Sequence, residues 1–309
     1  DSSPYGPRQF RNFAPMKMLR LLFLCLIALP LTAQTTKITV EATGCKAMNL
    51  YAFDGGTFEQ VMPLKTNDSG VWEAYAPVEG PTFRYVGSTP ADELPVIIGG
   101  DEAMTITGTC GKLRNVQVTD SPINKKYQEL KRTFQSHNRD FSGGMRAYQQ
   151  AAVKKDSAVM KQEMAALANL AQRKRTLFEK TKKENPVLAR VVSMNTYLSF
   201  LNENNDRFQN ELDYFVNTYF QFVDFKDEGY NDLPWTYEGN RNFGNTLAAA
   251  IPAERLGDIM LAVYDKWPAG SRAQFFAMSG GFAALAQKKH VATIKVADAI
   301  TERFNKTYP

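Results

Sequence analysis

The chain has 309 residues, 44% of them hydrophobic and 22% charged, with 37 basic and 32 acidic side chains and a net charge of +5. That is the composition of ordinary globular material. Residues 1–33 hold Arg8, Arg11, Lys17 and Arg20 against Asp1, so the remainder carries 33 basic and 31 acidic side chains, a near balance that excludes a nucleic-acid partner.

Residues 1–15 are polar and patternless, start with Asp1 rather than Met, and are expected to lie upstream of any folded unit. Residues 16–33 are organised as a signal peptide. Lys17 and Arg20 form the positive n-region, Leu21 to Leu29 the apolar h-region, and Leu31-Thr32-Ala33 a cleavage site before Gln34, the expected mature N-terminus. The apolar run is about half the roughly 20 residues a membrane-spanning helix needs, so no stable membrane span is expected, and Cys25 leaves with the leader. The chain is expected to be exported to the bacterial periplasm or cell envelope.

Residues 34–120 read as β. Short alternating runs fall at 37–42, 49–53, 61–65, 71–75, 82–86, 96–98, 104–107 and 116–118. Asp54-Gly55-Gly56, Asn67-Asp68-Ser69-Gly70 and Gly80-Pro81 punctuate them as turn signals. The spacing predicts an antiparallel β-sandwich or small barrel, with one face of each sheet packed and the other wet.

The period changes at Ser121-Pro122-Ile123-Asn124, where Ser is a favoured N-cap and Pro a favoured first helical residue. Ile123, Tyr127, Leu130 and Phe134 then form one apolar stripe. Ser142-Gly143-Gly144 is expected to break this helix, with a long charged helix from Met145 to Lys183 ended by Asn185-Pro186. Further helices are expected over 187–202, 207–222, 254–266, 272–287 and 291–306. Residues 121–309 therefore read as an all-α domain of six or seven helices. The fold class is α+β in segregated modules, strands first and helices afterwards.

The constellations that carry chemistry are sparse. Cys45 and Cys110 remain after processing, 65 positions apart, with no Cys-x-x-Cys. Their even count in an exported chain suggests a structural disulfide, with two buried free thiols as the alternative. His137 and His290 have no partner at metal-ligand spacing, so no metal is expected. Phosphate, dinucleotide and Gly-x-Ser-x-Gly motifs are absent, so neither cofactor nor catalytic residue is assigned. Gly280-Gly281 suggests close helix packing or a helix break. Gln172-Arg173-Lys174-Arg175 reads as a solvated helix face. The aromatic cluster that includes Tyr219, Phe220, Phe222, Phe225, Trp235 and Tyr237 is either core packing or a surface for a peptide or glycan.

Two segments carry a family resemblance. Val118-Thr119-Asp120-Ser121-Pro122-Ile123-Asn124-Lys125-Lys126-Tyr127, a strand running into Ser-Pro-x-Asn and a helix, resembles a junction in exported bacterial thioredoxin-like thiol-disulfide oxidoreductases. Tyr219-Phe220-Gln221-Phe222-Val223-Asp224-Phe225-Lys226-Asp227 is similar to an aromatic, Asp-Phe-x-Asp segment of that family's helical region. The resemblance covers the N-terminal part of the family, a β domain of unknown function and a helical region. The family's Cys-x-x-Cys belongs to a domain that would follow Pro309, so the chain is expected to be a fragment or a relative without that domain. It implies a non-catalytic accessory region that binds a partner, positions or dimerises, with a C-terminal thioredoxin-like domain or an envelope protein as partner and a homodimer as one form. The reading from a different class is a self-sufficient exported binding protein for a peptide or glycan.

Overall fold

A computed structural model describes residues 34–202 and 207–305. The expected upstream stretch 1–15 and the expected signal peptide 16–33 lie outside the described residues. Nine strands precede eight α-helices among the described residues. The strands are β1 (Gln34–Thr43), β2 (Asn49–Asp54), β3 (Thr57–Pro63), β4 (Lys65–Thr66), β5 (Trp72–Val78), β6 (Thr82–Gly87), β7 (Leu94–Ile98), β8 (Ala103–Thr109) and β9 (Val118–Thr119). They form a five-stranded sheet, β4-β5-β1-β8-β9, and a four-stranded sheet, β3-β2-β6-β7.

Alternation explains the first sheet. Ile38 and Val40 of β1 are fully buried, and they pair with Ala74 and Trp72 of antiparallel β5. On its other side β1 runs parallel to β8, Ile38 beside Met104 and Val40 beside Ile106. The expected sandwich is therefore antiparallel except for one central pair. The whole second sheet intervenes between β1 and β8, and that length of chain permits a parallel return. At the β4–β5 turn the Asn67 side chain accepts hydrogen bonds from the backbone N–H of Ser69 and Val71, both at 3.0 Å. Cys45 and Cys110 are joined in a disulfide, Cα atoms 5.3 Å apart, which ties the end of β1 to the end of β8.

Over β6 and β7 the second sheet is covered on both faces, which corrects there the expectation of a wet outer side. Leu94, Val96 and Ile98 of β7 face the core between the sheets, while Ile97 and Phe83 of β6 belong to the helical core. Apolar residues on both faces of a strand need a layer on each side. The outer layer starts with α1 (Pro122–Lys154), whose Ile123, Tyr127, Leu130 and Phe134 pack there as the stripe required.

The Ser121-Pro122-Ile123-Asn124 junction locks that layer. Ser121 caps α1, and the buried Asn124 side chain accepts from the Ile97 N–H and donates to the Ile97 carbonyl, each at 2.7 Å. β7 is an edge strand, and the amide of Asn124 satisfies the backbone groups that an edge leaves open. Asp101 accepts from the Ser121 hydroxyl at 2.5 Å and from the Ile123 N–H at 3.1 Å.

α1 does not break at Ser142-Gly143-Gly144, contrary to expectation. An interior Gly costs about 1 kcal/mol relative to Ala, which alone does not end a helix. At Gly144 a Cβ would stand 3.1 Å from Leu167 of the neighbouring helix, so the missing side chain permits close packing. The break comes at Lys155, left-handed with φ +55°, and Asp156, whose carboxylate caps α2 (Ser157–Glu184).

α3 (Pro186–Met194), α4 (Glu211–Thr218), α5 (Pro234–Ala250), α6 (Ala253–Tyr264), α7 (Arg272–Gln287) and α8 (Thr293–Phe304) complete the fold. α5 is the helix that the pattern did not predict. Gly280, inside α7, lies where a Cβ would be 2.2 Å from the Tyr237 carbonyl of α5. The Gly pair therefore serves close helix packing, not a break. Phe53 of β2 meets Tyr237 and Phe276 at 5.2 and 5.4 Å between ring centres, so the strand and helical regions join in one compact unit. Among the described residues no helix is long and apolar enough to cross a membrane.

Candidate functional site

Five helices and one loop line a cavity of about 940 Å³, within the usual size range of small-ligand sites. Asn138, Phe141, Met145 and Gln149 of α1 face it, at helical spacings that place them on one side. Asn242 and Thr246 of α5 form the opposite wall, Asn195, Thr196 and Tyr197 arrive on the segment after α3, and Phe215 and Tyr219 come from α4 and the turn beyond it. Asn210, which caps α4 by accepting from the Asp213 N–H at 3.0 Å, and Glu211 stand at the α4 entrance.

The walls combine flat aromatic faces with primary amides. Tyr197 lies 5.1 Å from Phe215 and 5.7 Å from Tyr219, centre to centre. Phe215 stacks on buried Phe243, rings 9° from parallel, which fixes it from behind. Among the described residues the side-chain amides of Asn138, Gln149 and Asn242 have no protein hydrogen-bond partner. Each therefore offers a donor pair and an acceptor to a ligand.

Lys174 of α2 is the cavity's buried cation, 5% exposed. Its ammonium donates to the Tyr197 carbonyl at 2.9 Å and lies 5.2 Å from the centre of the Phe141 ring. Burial lowers its pKa to about 8. His137, one position from the cavity on α1, is buried inside the helix rather than near its end. Burial lowers its pKa, with Lys174 and Arg173 adding to the shift and Asp140 opposing it.

The run Gln172-Arg173-Lys174-Arg175 is thus not solvated throughout. Leu167, Leu170, Ala171, Lys174, Phe178 and Thr181 are the buried positions of α2, and Lys174 occupies a core register within them. Arg173, one residue earlier, is half-exposed and pairs with Asp140 at 3.0 Å. That inward spacing was the signal in the sequence for the buried lysine. The cavity's amides carried no comparable signal, because their convergence depends on the packing of several helices, one of them unpredicted.

Of the six aromatic candidates, Tyr219, Phe220 and Phe225 meet in one chain of ring contacts, at 4.7 and 6.3 Å, while Phe222, Trp235 and Tyr237 pack elsewhere. Tyr219 lines the cavity. Phe220 is buried against Phe243 at 5.3 Å, Phe222 packs on Phe178 at 5.2 Å, and Phe225 on Trp267 at 4.8 Å. Trp235 donates to the Tyr127 hydroxyl at 3.2 Å, and Tyr237 packs on Phe53 at the junction with the strands. In the Asp-Phe-x-Asp segment, Asp227 makes a bidentate pair with Arg190 at 2.7 and 2.9 Å.

The cysteines of the described residues are bonded to each other, and among those residues no group of His, Cys, Asp or Glu could hold a metal ion. Against known protein families, curated proteins and solved structures, the chain shows no match in any of the three comparisons.

Proposed function

We propose that this chain is an exported carbohydrate-binding protein, with the helical cavity as its site. The observation that carries this reading is the wall chemistry: solvent-facing primary amides beside half-buried aromatic rings. An amide gives a hydrogen bond and accepts one from adjacent sugar hydroxyls, while the apolar C–H face of the ring packs on an aromatic plane. An extended peptide, the other ligand considered, would draw on an open sheet edge or a long groove, whereas this cavity lies between helices, away from the sheet edges. The leader-like residues 16–33 and the Cys45–Cys110 disulfide support export to an oxidising compartment.

Affinity electrophoresis through gels containing soluble polysaccharides tests the reading. At least one polysaccharide should retard the chain, and Tyr219→Ala with Asn242→Ala should restore free migration. No retardation by any of them, or selective capture of peptides from a peptide library, would contradict it.

A second reading makes the chain the non-catalytic N-terminal region of a thioredoxin-like oxidoreductase, holding a partner or a following domain in place. The Ser121-Pro122-Ile123-Asn124 junction favours it, since those residues fasten the strands to α1 as a rigid support. An open frame continuing from Pro309 into a Trp-Cys-x-x-Cys motif is the outcome this reading expects, and an immediate stop codon opposes it. Both readings expect insulin reduction by the purified chain to match reductant alone. Disulfide exchange needs an accessible thiolate with a resolving thiol nearby, whereas Cys45 and Cys110 bridge two strand ends.

A further inference from the structure

Lys174 presents an electrostatic problem that the cavity walls solve only in part, through the Phe141 ring 5.2 Å from its ammonium. Its ammonium is buried, and a buried charge is ordinarily paired with an opposite one. Among the described residues no carboxylate stands within 4.0 Å of it, and its one hydrogen-bond acceptor is the neutral Tyr197 carbonyl. Two of its three N–H groups therefore have no protein acceptor among those residues.

The charged neighbours do not supply the missing charge. Asp140 of α1 is committed to Arg173, and His137 carries no negative charge in either protonation state. Glu211, at the start of α4, is exposed at the rim, where water screens its charge. The depression of the Lys174 pKa has burial as its sole cause, as expected for an ammonium that no anion supports.

We propose that the sugar bound in this cavity is acidic, and that Lys174 is the counter-charge for a single negative group on it, a uronate carboxylate or a sulfate ester. This rests on the carbohydrate reading and narrows it. One lysine matches one negative charge, whereas a phosphate near neutral pH would bring more charge than the site can neutralise. The ligand's anion would accept the two spare N–H groups, and the amides of Asn138 and Asn242 would take its hydroxyls. A charge-assisted bond to a buried ammonium is worth more than a neutral one, so the preference for acid over neutral sugar should be at least about tenfold.

The test uses oligogalacturonate, alginate oligomers and hyaluronan oligomers, each beside its carboxyl-reduced neutral counterpart, with a sulfated galactan oligomer as a separate arm. Calorimetric titration of the 34–309 chain should show at least one acidic oligomer binding about tenfold or more tightly than its neutral form. Lys174→Met should abolish that difference, so that the acidic and neutral forms bind alike. The carboxylate and sulfate arms identify which group the lysine accepts. Equal binding of acidic and neutral forms would overturn the acidic-sugar inference and leave the carbohydrate reading intact. A preference that survives in Lys174→Met would overturn the assignment to Lys174. Failure of every sugar in the panel would remove both the inference and the reading beneath it.

Discussion

Lys174 sits in a register that the helix period reserves for core residues, and its charge should cost the protein stability. The folded pKa is about 8 against an ordinary value of 10.5. Below pH 8 both states carry the proton, and the folded state bears the whole burial penalty. Between about 8 and 10.5 the unfolded chain binds a proton that the folded chain has shed, so this group's contribution to stability rises with pH. Lys174→Met should therefore stabilise the protein by about 2 kcal/mol at pH 7, and the gain should shrink towards pH 10. Paired thermal melts from pH 7 to 10 measure it; a constant gain, or a loss at pH 7, would count against a buried ammonium. Asn124 has the opposite role. Asn124→Leu would leave the N–H and C=O of Ile97 buried without partners, at a cost of about 2–4 kcal/mol. Urea unfolding should register this as a lower midpoint with an unchanged slope.

Among the elements, the glycines of the long helices separate propensity from packing. Gly143 and Gly280 both lie within helices, and what a methyl group would meet differs completely. Nothing stands within 4 Å at Gly143, while at Gly280 the Tyr237 carbonyl is 2.2 Å away. Gly143→Ala should raise stability by up to about 1 kcal/mol through helix propensity. Gly280→Ala should lower it by about 2 kcal/mol or more, because α5 and α7 must separate. Denaturant midpoints of the two variants test this, and a shift of the same sign in both would refute the packing role of Gly280. The same contrast explains what the sequence made legible. Strand alternation, the Ser-Pro cap and the stripe Ile123-Tyr127-Leu130-Phe134 are local signals, and they placed the β region and the start of α1. The helix break at Lys155-Asp156 was missed because two adjacent glycines looked stronger than a left-handed lysine before an aspartate cap. α5 was missed because its aromatic and small residues serve contacts on several sides, which blurs a single stripe.

For the whole molecule, three layers meet: the first sheet, the second sheet, and the helices. Phe83 and Ile97 on the outer face of the second sheet belong to the same core as α1 and the later helices. The cavity lies further along the same face of α1, towards its C-terminal half and between helices, so a ligand there would not have to part the layers. Its composition was hidden in the sequence because Asn138, Lys174, Asn195 and Asn242 come from four separate segments and become a site only when the helices pack. Two methionines make the central claim measurable, since Met145 and Met194 both line the cavity. Met48 and Met104 are buried in the strand core, and Met278 is buried within α7. The direct measurement is a titration of methyl-labelled methionine followed by NMR, using the oligosaccharide best retained in affinity electrophoresis. Saturable movement of the Met145 and Met194 methyl signals, with those of Met48, Met104 and Met278 unmoved, is the result expected. Saturable movement confined to the strand-core methionines, or none at Met145 and Met194, would contradict the account.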